Sequence, residues 1–164
     1  MITITEIETK SILTKTALPS GDFVANPYVG CPHKCMYCYA DFMRRFTNHG
    51  EKRGDFLDVK RCDKKINVDM RDKTIILSSV TDAYNPFEQK FKVTRELLKQ
   101  FVHSQVKIDI LTKSALVLRD RDLFRQIPGI RIGISLNTLD DTIRKTLEPY
   151  ASSVNKRIHG KDAA

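Results

Sequence analysis

Three stretches are rich in β-branched and other apolar residues and are flanked by turn residues. They are Lys73 to Val80, Val106 to Leu111 and Ile130 to Leu136. Runs of this length, rich in β-branched residues, predict strands buried on both faces of a parallel sheet. Between them lie helical patterns. Val93, Leu97, Leu98, Phe101 and Val102 share one face of a 3.6-residue period over Val93–His103, with Thr94 as a plausible N-cap. Ala115 to Gln126 follows Ser114, a second candidate cap, and Pro128-Gly129 stops it. Leu139, Ile143 and Leu147 stripe a last helix, with Thr138-x-x-Asp141 resembling a capping box and Glu148-Pro149 ending it.

Upstream the pattern is weaker. Residues 1–22 read as an extended lead-in that turns at Pro19-Ser20-Gly21. Phe23 to Val29 is short, apolar and aromatic, and predicts the first strand of the alternation. Cys35 to Phe46 reads as a helix whose Met36, Tyr37, Tyr39, Phe42 and Met43 are expected to enter the core. Residues 47–72 form a long polar connection with a short strand at Phe56–Val59. Residues 23–150 form the core, and 151–164 show no core-forming pattern and read as an irregular tail. Strand and helix therefore alternate four times, which predicts an α/β fold of about four βα units with a parallel sheet and right-handed crossovers.

Each predicted strand ends in residues suited to chemistry: the cysteine loop, Ser79 to Glu88, Thr112-Lys113, and Ser135 to Asn137. In (β/α) barrels the C-terminal strand ends form one rim that carries the active site. The first of these loops holds three of the four cysteines, Cys31, Cys35 and Cys38, spaced C-x3-C-x2-C. Thiolates are soft ligands for iron–sulfur clusters, zinc or copper(I). Three on one loop can hold three corners of a 4Fe–4S cubane and leave the fourth iron open. The alternative is zinc with a fourth ligand from Cys62, His33 or His49. The spacing is unusual for a zinc knuckle, and no second C-x2-C pair follows. Three adjacent cysteines without a signal peptide also argue against a disulfide framework. Cys62, among Lys60, Arg61, Asp63 and Lys64, reads as a surface residue.

The chain has 164 residues, enough for one domain, and carries a net charge of +8. Arg44 to Lys65 contains eight Lys or Arg against four Asp or Glu. Such a stretch is either a solvated linker face or a surface that attracts nucleic acid through its phosphates. No apolar run approaches the ~20 residues that cross a bilayer, so no membrane role is expected. The thiols fit a reducing, cytoplasmic location.

CPHKCMYC resembles the cluster loop of radical S-adenosylmethionine (SAM) enzymes. The wider NPYVGCPHKCMYCYA is similar to the branch related to spore photoproduct lyase, as are SSVTDAYNPFE, LTKSALVLRD, ISLNT and Glu148-Pro149. The resemblance implies an incomplete (β/α) barrel of the radical SAM type. It implies a 4Fe–4S cluster on Cys31, Cys35 and Cys38, and SAM cleaved reductively to a 5′-deoxyadenosyl radical. Ser79, Thr81 and Asp82 would meet the SAM amino group, and Lys113 and Ser135 its carboxylate and ribose region. A lysine at a strand end is itself suited to a carboxylate. Asp82 has the alternative of a turn-forming role. The resemblance also implies an electron donor such as flavodoxin or ferredoxin.

Two departures stand out. The superfamily core has six βα units against the four counted here, so the chain reads as truncated, with an open sheet edge prone to self-association. Where the spore enzyme has a cysteine hydrogen donor, this chain has Ser78 and Ser79, so spore-type thymine-dimer repair is not expected. The competing reading is a non-catalytic, zinc-binding, basic nucleic-acid-binding module.

Overall fold

The computed structural model describes residues 1–62, 65–66 and 69–160. In chain order come β1 (Thr3–Glu8), β2 (Leu13–Lys15), β3 (Phe23–Ala25), β4 (Tyr28–Val29), a 3₁₀ helix (Tyr39–Phe46), β5 (Phe56–Arg61) and β6 (Thr74–Leu77). There follow α1 (Glu88–Phe91), α2 (Val93–Lys99), β7 (Lys107–Thr112), a second 3₁₀ helix (Ala115–Asp120), α3 (Arg121–Phe124), β8 (Gly129–Ile134), α4 (Asp141–Leu147) and α5 (Val154–His159). No helix among the described residues is long and apolar enough to cross a membrane.

The main sheet has the order β2-β3-β6-β7-β8. β3, β6, β7 and β8 run parallel, and β2 is antiparallel to β3. This is the α/β partial barrel, with four parallel strands and helical connections. The register aligns Phe23, Ile75, Ile108 and Ile130 in one row across it. Ile75, Leu77, Ile108 and Ile110 are buried against Leu97, Leu98, Phe101, Val117, Leu123 and Ile127 from the helical layer. Fully burying each such side chain contributes roughly 1.5–3 kcal/mol.

The expectation of strands buried on both faces needs correction. Ile76 is half-buried and Leu111 is 63% exposed. Only the helix-covered face is deeply packed. The other is the inner face of a barrel that four parallel strands leave open.

The predicted strand Phe23–Val29 is two strands. It breaks at Asn26-Pro27, where proline has no N–H to give a ladder. β3 stays in the main sheet, while β4 joins a small sheet of order β1-β5-β4. The lead-in is indeed extended, but it is paired: β1 runs parallel to β5 over Thr3–Glu8, and β2 edges the main sheet. The short strand expected at Phe56–Val59 forms and continues to Arg61.

The helix expected from Cys35 begins only at Tyr39 and is 3₁₀ in form. Tight turns through the cysteine loop delay it, with Lys34 in the left-handed region at φ 53°. Ala40 is buried, but Met36, Tyr39 and Phe46 do not enter the core and are about 70% exposed (72%, 72% and 67%). Thr94 does not cap α2. The Glu88 carboxylate does, accepting from the backbone N–H groups of Thr94 and Arg95 at 3.0 and 3.3 Å. Ser114 caps its helix as expected, whereas Asp140, not Thr138, caps α4.

The tail is not irregular. Ser153 caps α5, and Val154 and Arg157 are buried. Six residues are too few to display a stripe, and the anchor is an ion pair that a hydropathy pattern cannot show. Asp63, Lys64 and residues 161–164 lie outside the described residues.

Glu88 and Asp120 have no exposed surface and anchor the layers around the sheet. Arg119 joins them, at 2.6 Å to Glu88 and 2.8 Å to Asp120. Tyr28 of the small sheet donates to Glu88, and Tyr84 donates to Asp120 at 3.1 Å. Arg95 adds a 2.7 Å pair to Asp120. Buried charges persist only when paired and hydrogen-bonded in this way. The NPFE and LRD strings are thus structural: they fasten the loop after β6 to α2 and the second 3₁₀ helix.

Candidate metal centre

The cysteine loop leaves the small sheet at Gly30, whose φ is +85°. A Cβ there would lie 2.4 Å from the Phe56 carbonyl oxygen, so the turn and the close approach both require glycine. Two tight turns follow, closed by Lys34 N–H to Cys31 O and Cys38 N–H to Cys35 O. They turn all three thiols toward the C-terminal ends of β6 and β7.

Cys31, Cys35 and Cys38 line two adjoining cavities. One, of about 190 Å³, lies beneath Lys34, Met36, Asp41 and Arg53. The other, of about 160 Å³, is shared with Ser78, Ser79, Thr81, Asp82, Lys113 and the rings of Tyr37 and Tyr39. Among the described residues no three His, Cys, Asp or Glu side chains converge closely enough to hold a single metal ion. This is not the convergence of a preformed tetrahedral zinc site. Three soft donors spread around one cavity suit a polynuclear centre, whose ligands bind separate irons.

Burial pushes the Cys31 thiol up to about 12, helped by the nearby Asp82 carboxylate. Burial raises Cys35 to about 11, against the opposing charge of Lys113. Both are therefore thiols at neutral pH without metal, and metal binding must displace their protons.

Of the residues predicted for cofactor contact, Ser79, Thr81, Asp82 and Lys113 join the thiols around the inner cavity, and Ser135 is not among its lining residues. The Ser135 backbone is instead engaged, its N–H with Thr112 O at 2.8 Å and its carbonyl with Arg157 at 2.9 Å. Thr81 Oγ1 donates to Gly30 O at 2.5 Å and steadies the glycine turn. Tyr39 donates to the Ser79 carbonyl, and Asn26 accepts from the Ser79 N–H at 3.1 Å.

Asp82 is a hub. Its Oδ1 accepts from Tyr84 N–H at 2.8 Å and Thr112 Oγ1 at 2.7 Å, and its Oδ2 accepts from Lys113 N–H at 2.9 Å. His33 Nε2 lies 3.2 Å from Oδ2, close as a charge partner but not aligned as a hydrogen bond. Burial works to raise this carboxyl, yet His33 and the surrounding donors hold it at about 2. Asp82 therefore locks the β6 loop, the end of β7 and the cysteine loop together. Lys113 keeps its ammonium 5.7 Å from the centroid of the Tyr37 ring.

Sequence reasoning missed the residues that close the site from the C-terminal side. Leu147 O accepts from Met36 N–H at 2.9 Å, and Tyr150 O lies 3.1 Å from His33 Nδ1. Glu148 accepts from Tyr37 through one oxygen and from Arg157 at 2.5 Å through the other. In the sequence the Glu148-Pro149 pair reads as a helix stop and a landmark of the resemblance, and neither reading shows its contact with the cysteine loop. Arg53, in the charged connection, also lines both cavities.

The family model described as the radical SAM superfamily matches residues 25–162. An uncharacterized protein of Methanocaldococcus jannaschii is 41% identical over 159 residues, covering 96% of this chain and 60% of that protein. An uncharacterized protein of Acidianus two-tailed virus is 29% identical over 154 residues, 85% of this chain and 50% of its own length. An uncharacterized Mycobacterium tuberculosis protein is 28% identical over 176 residues, 96% of this chain and 50% of its own. The chain thus spans half to three-fifths of these curated relatives. Among solved structures, spore photoproduct lyase complexed with dinucleoside spore photoproduct superposes with a TM-score of 0.66 at 14% identity, over 96% of this chain and 48% of that one. That likeness is one of fold.

Proposed function

Since the chain belongs to the radical SAM superfamily, we propose that it binds a 4Fe–4S cluster through Cys31, Cys35 and Cys38 and holds SAM beside it for reductive cleavage. The observation that carries this reading is the cavity the three thiols share with Ser79, Thr81 and Lys113 at the C-terminal ends of parallel strands. When bound, the cluster and SAM supply one-electron cleavage of the sulfonium, giving methionine and a 5′-deoxyadenosyl radical that abstracts hydrogen from a substrate.

The protein's part is placement. Lys113 presents a cation for the SAM carboxylate. Asp82 holds the Lys113 backbone and so fixes where that side chain starts. Thr81 holds the Gly30 turn, and with it the first cysteine. Tyr37 and Tyr39 wall the inner cavity and limit water there. The electron comes from a carrier of the flavodoxin or ferredoxin type in a reducing cytoplasm.

The test is anaerobic reconstitution with iron and sulfide. The wild-type chain should turn brown and take up about four irons, the cluster's own stoichiometry. Any one of Cys31→Ala, Cys35→Ala or Cys38→Ala should abolish uptake, while Cys62→Ala leaves it intact. One zinc per chain, or loss of iron in Cys62→Ala, would refute the reading.

A further inference from the structure

Buried polar atoms nearly always find hydrogen-bond partners, because leaving one unmatched costs its full desolvation. Among the described residues three buried side-chain atoms lack one: His33 Nε2, Arg53 Nε and Ser78 Oγ. All three residues line the inner cavity with Cys31, Cys35 and Cys38. His33 has Asp82 beside it at 3.2 Å. Arg53 has no such explanation for its Nε.

Arg53 is held where it is. Its terminal nitrogen donates to the Val80 carbonyl at the far wall of the cavity. Gly54 follows at φ +92°, and a Cβ there would come within 2.4 Å of Lys34 Cγ. Asp55 then pairs with Lys34. The Arg53-Gly54-Asp55 backbone is therefore pressed against the cysteine loop. Arg53 also lines the outer cavity, so the residue borders both spaces that the thiols border.

A guanidinium Nε–H can only donate, and the group keeps its charge at any ordinary pH. No acceptor among the described residues meets it, and an anion held in the adjoining cavity would balance the charge of the guanidinium. Resting on the function proposed above, we infer that Arg53 tunes the iron–sulfur centre: its fixed cation faces the cluster's thiolates and sulfides and raises the cluster's reduction potential. Reduction adds one negative charge to the cluster. A nearby cation stabilises the reduced form more than the oxidised one, and hydrogen bonds toward sulfur act in the same direction.

The experiment reconstitutes wild type, Arg53→Gln, Arg53→Lys and Lys52→Gln anaerobically and titrates each with redox mediators, reading the reduced cluster by EPR. Lys52 is an exposed neighbouring cation and serves as the control. Arg53→Gln should lower the equilibrium constant for one-electron reduction about tenfold, a shift of about 59 mV to more negative potential. Arg53→Lys should keep most of the wild-type value, and Lys52→Gln all of it. If Arg53→Gln takes up no cluster, restored uptake with near-wild-type potential in Arg53→Lys supports the charge role, and failure of both overturns it. A loaded Arg53→Gln with unchanged potential overturns the inference, including the case where only SAM binding weakens. An equal shift in Lys52→Gln also overturns it. A wild-type chain that takes up no iron refutes the underlying function, and the inference with it.

Discussion

At the scale of single residues, the site depends on positions where only one side chain fits. Gly30 combines a left-handed φ with a backbone oxygen where a Cβ would sit. An L-residue in that region costs roughly 1–2 kcal/mol before any clash is counted. Phe56 O belongs to a paired strand and cannot move aside cheaply. Gly30→Ala should therefore destabilise the fold by at least that amount and impair cluster uptake. Gly50, where an added Cβ would meet nothing within 4 Å, is the matched comparison, and Gly50→Ala should change stability little. Thermal melts of the two variants check this, and similar losses would refute it. The cysteine loop was legible from sequence because its spacing alone gathers three thiols on one short segment. Arg53 was not, since a charged residue between Lys52 and Gly54 looks solvated until the chain folds it over the thiols.

At the scale of elements, apolar periodicity located the four parallel strands and the chemistry at their ends. It failed where polar contacts decide. The strand through Asn26-Pro27 divides because Asn26 turns its side chain to the Ser79 N–H and Pro27 offers no donor. α5 forms because Arg157 reaches the buried Glu148, with side chains only 1% and 2% exposed. Arg157 also donates to Ser152 O at 2.8 Å and Ser135 O at 2.9 Å. The same Glu148 holds Tyr37 inside the cysteine loop. One ion pair thus couples the last helix to the metal centre. Breaking a buried pair from one side leaves an uncompensated charge and typically costs about 3–5 kcal/mol. Arg157→Ala should lose stability on that scale and take up less iron, measured by chemical denaturation and iron analysis. Stability and loading equal to wild type would show that the tail is incidental to the site.

At the scale of the whole molecule, the sheet ends in a short antiparallel strand on one side and in the longer, parallel β8 on the other. β2 covers the β3 edge, but β8 pairs only with β7 among the described residues. Its outer backbone groups are a template for another strand. Beside it Leu111, Ile132, Ile134, Leu136, Leu139 and Ile143 remain between 37% and 74% exposed. Apolar surface gathered next to an open edge marks a place of association. Against this, Arg131 on β8 pairs across to Asp109 at 2.5 Å and puts charge near the rim. One exposed ion pair contributes ~0–1 kcal/mol, too little to offset that much uncovered hydrocarbon. The chain should therefore self-associate as its concentration rises, and bind SAM weakly, because the open side leaves the cavity walled on one flank. Size-exclusion chromatography with light scattering tests the first point, and calorimetric titration of SAM into the reconstituted protein tests the second. Ile132→Lys, which charges the edge, should return the chain toward monomer without disturbing cluster uptake. A monodisperse wild-type monomer with a sharp melt and tight SAM binding would show that four parallel strands are a sufficient scaffold.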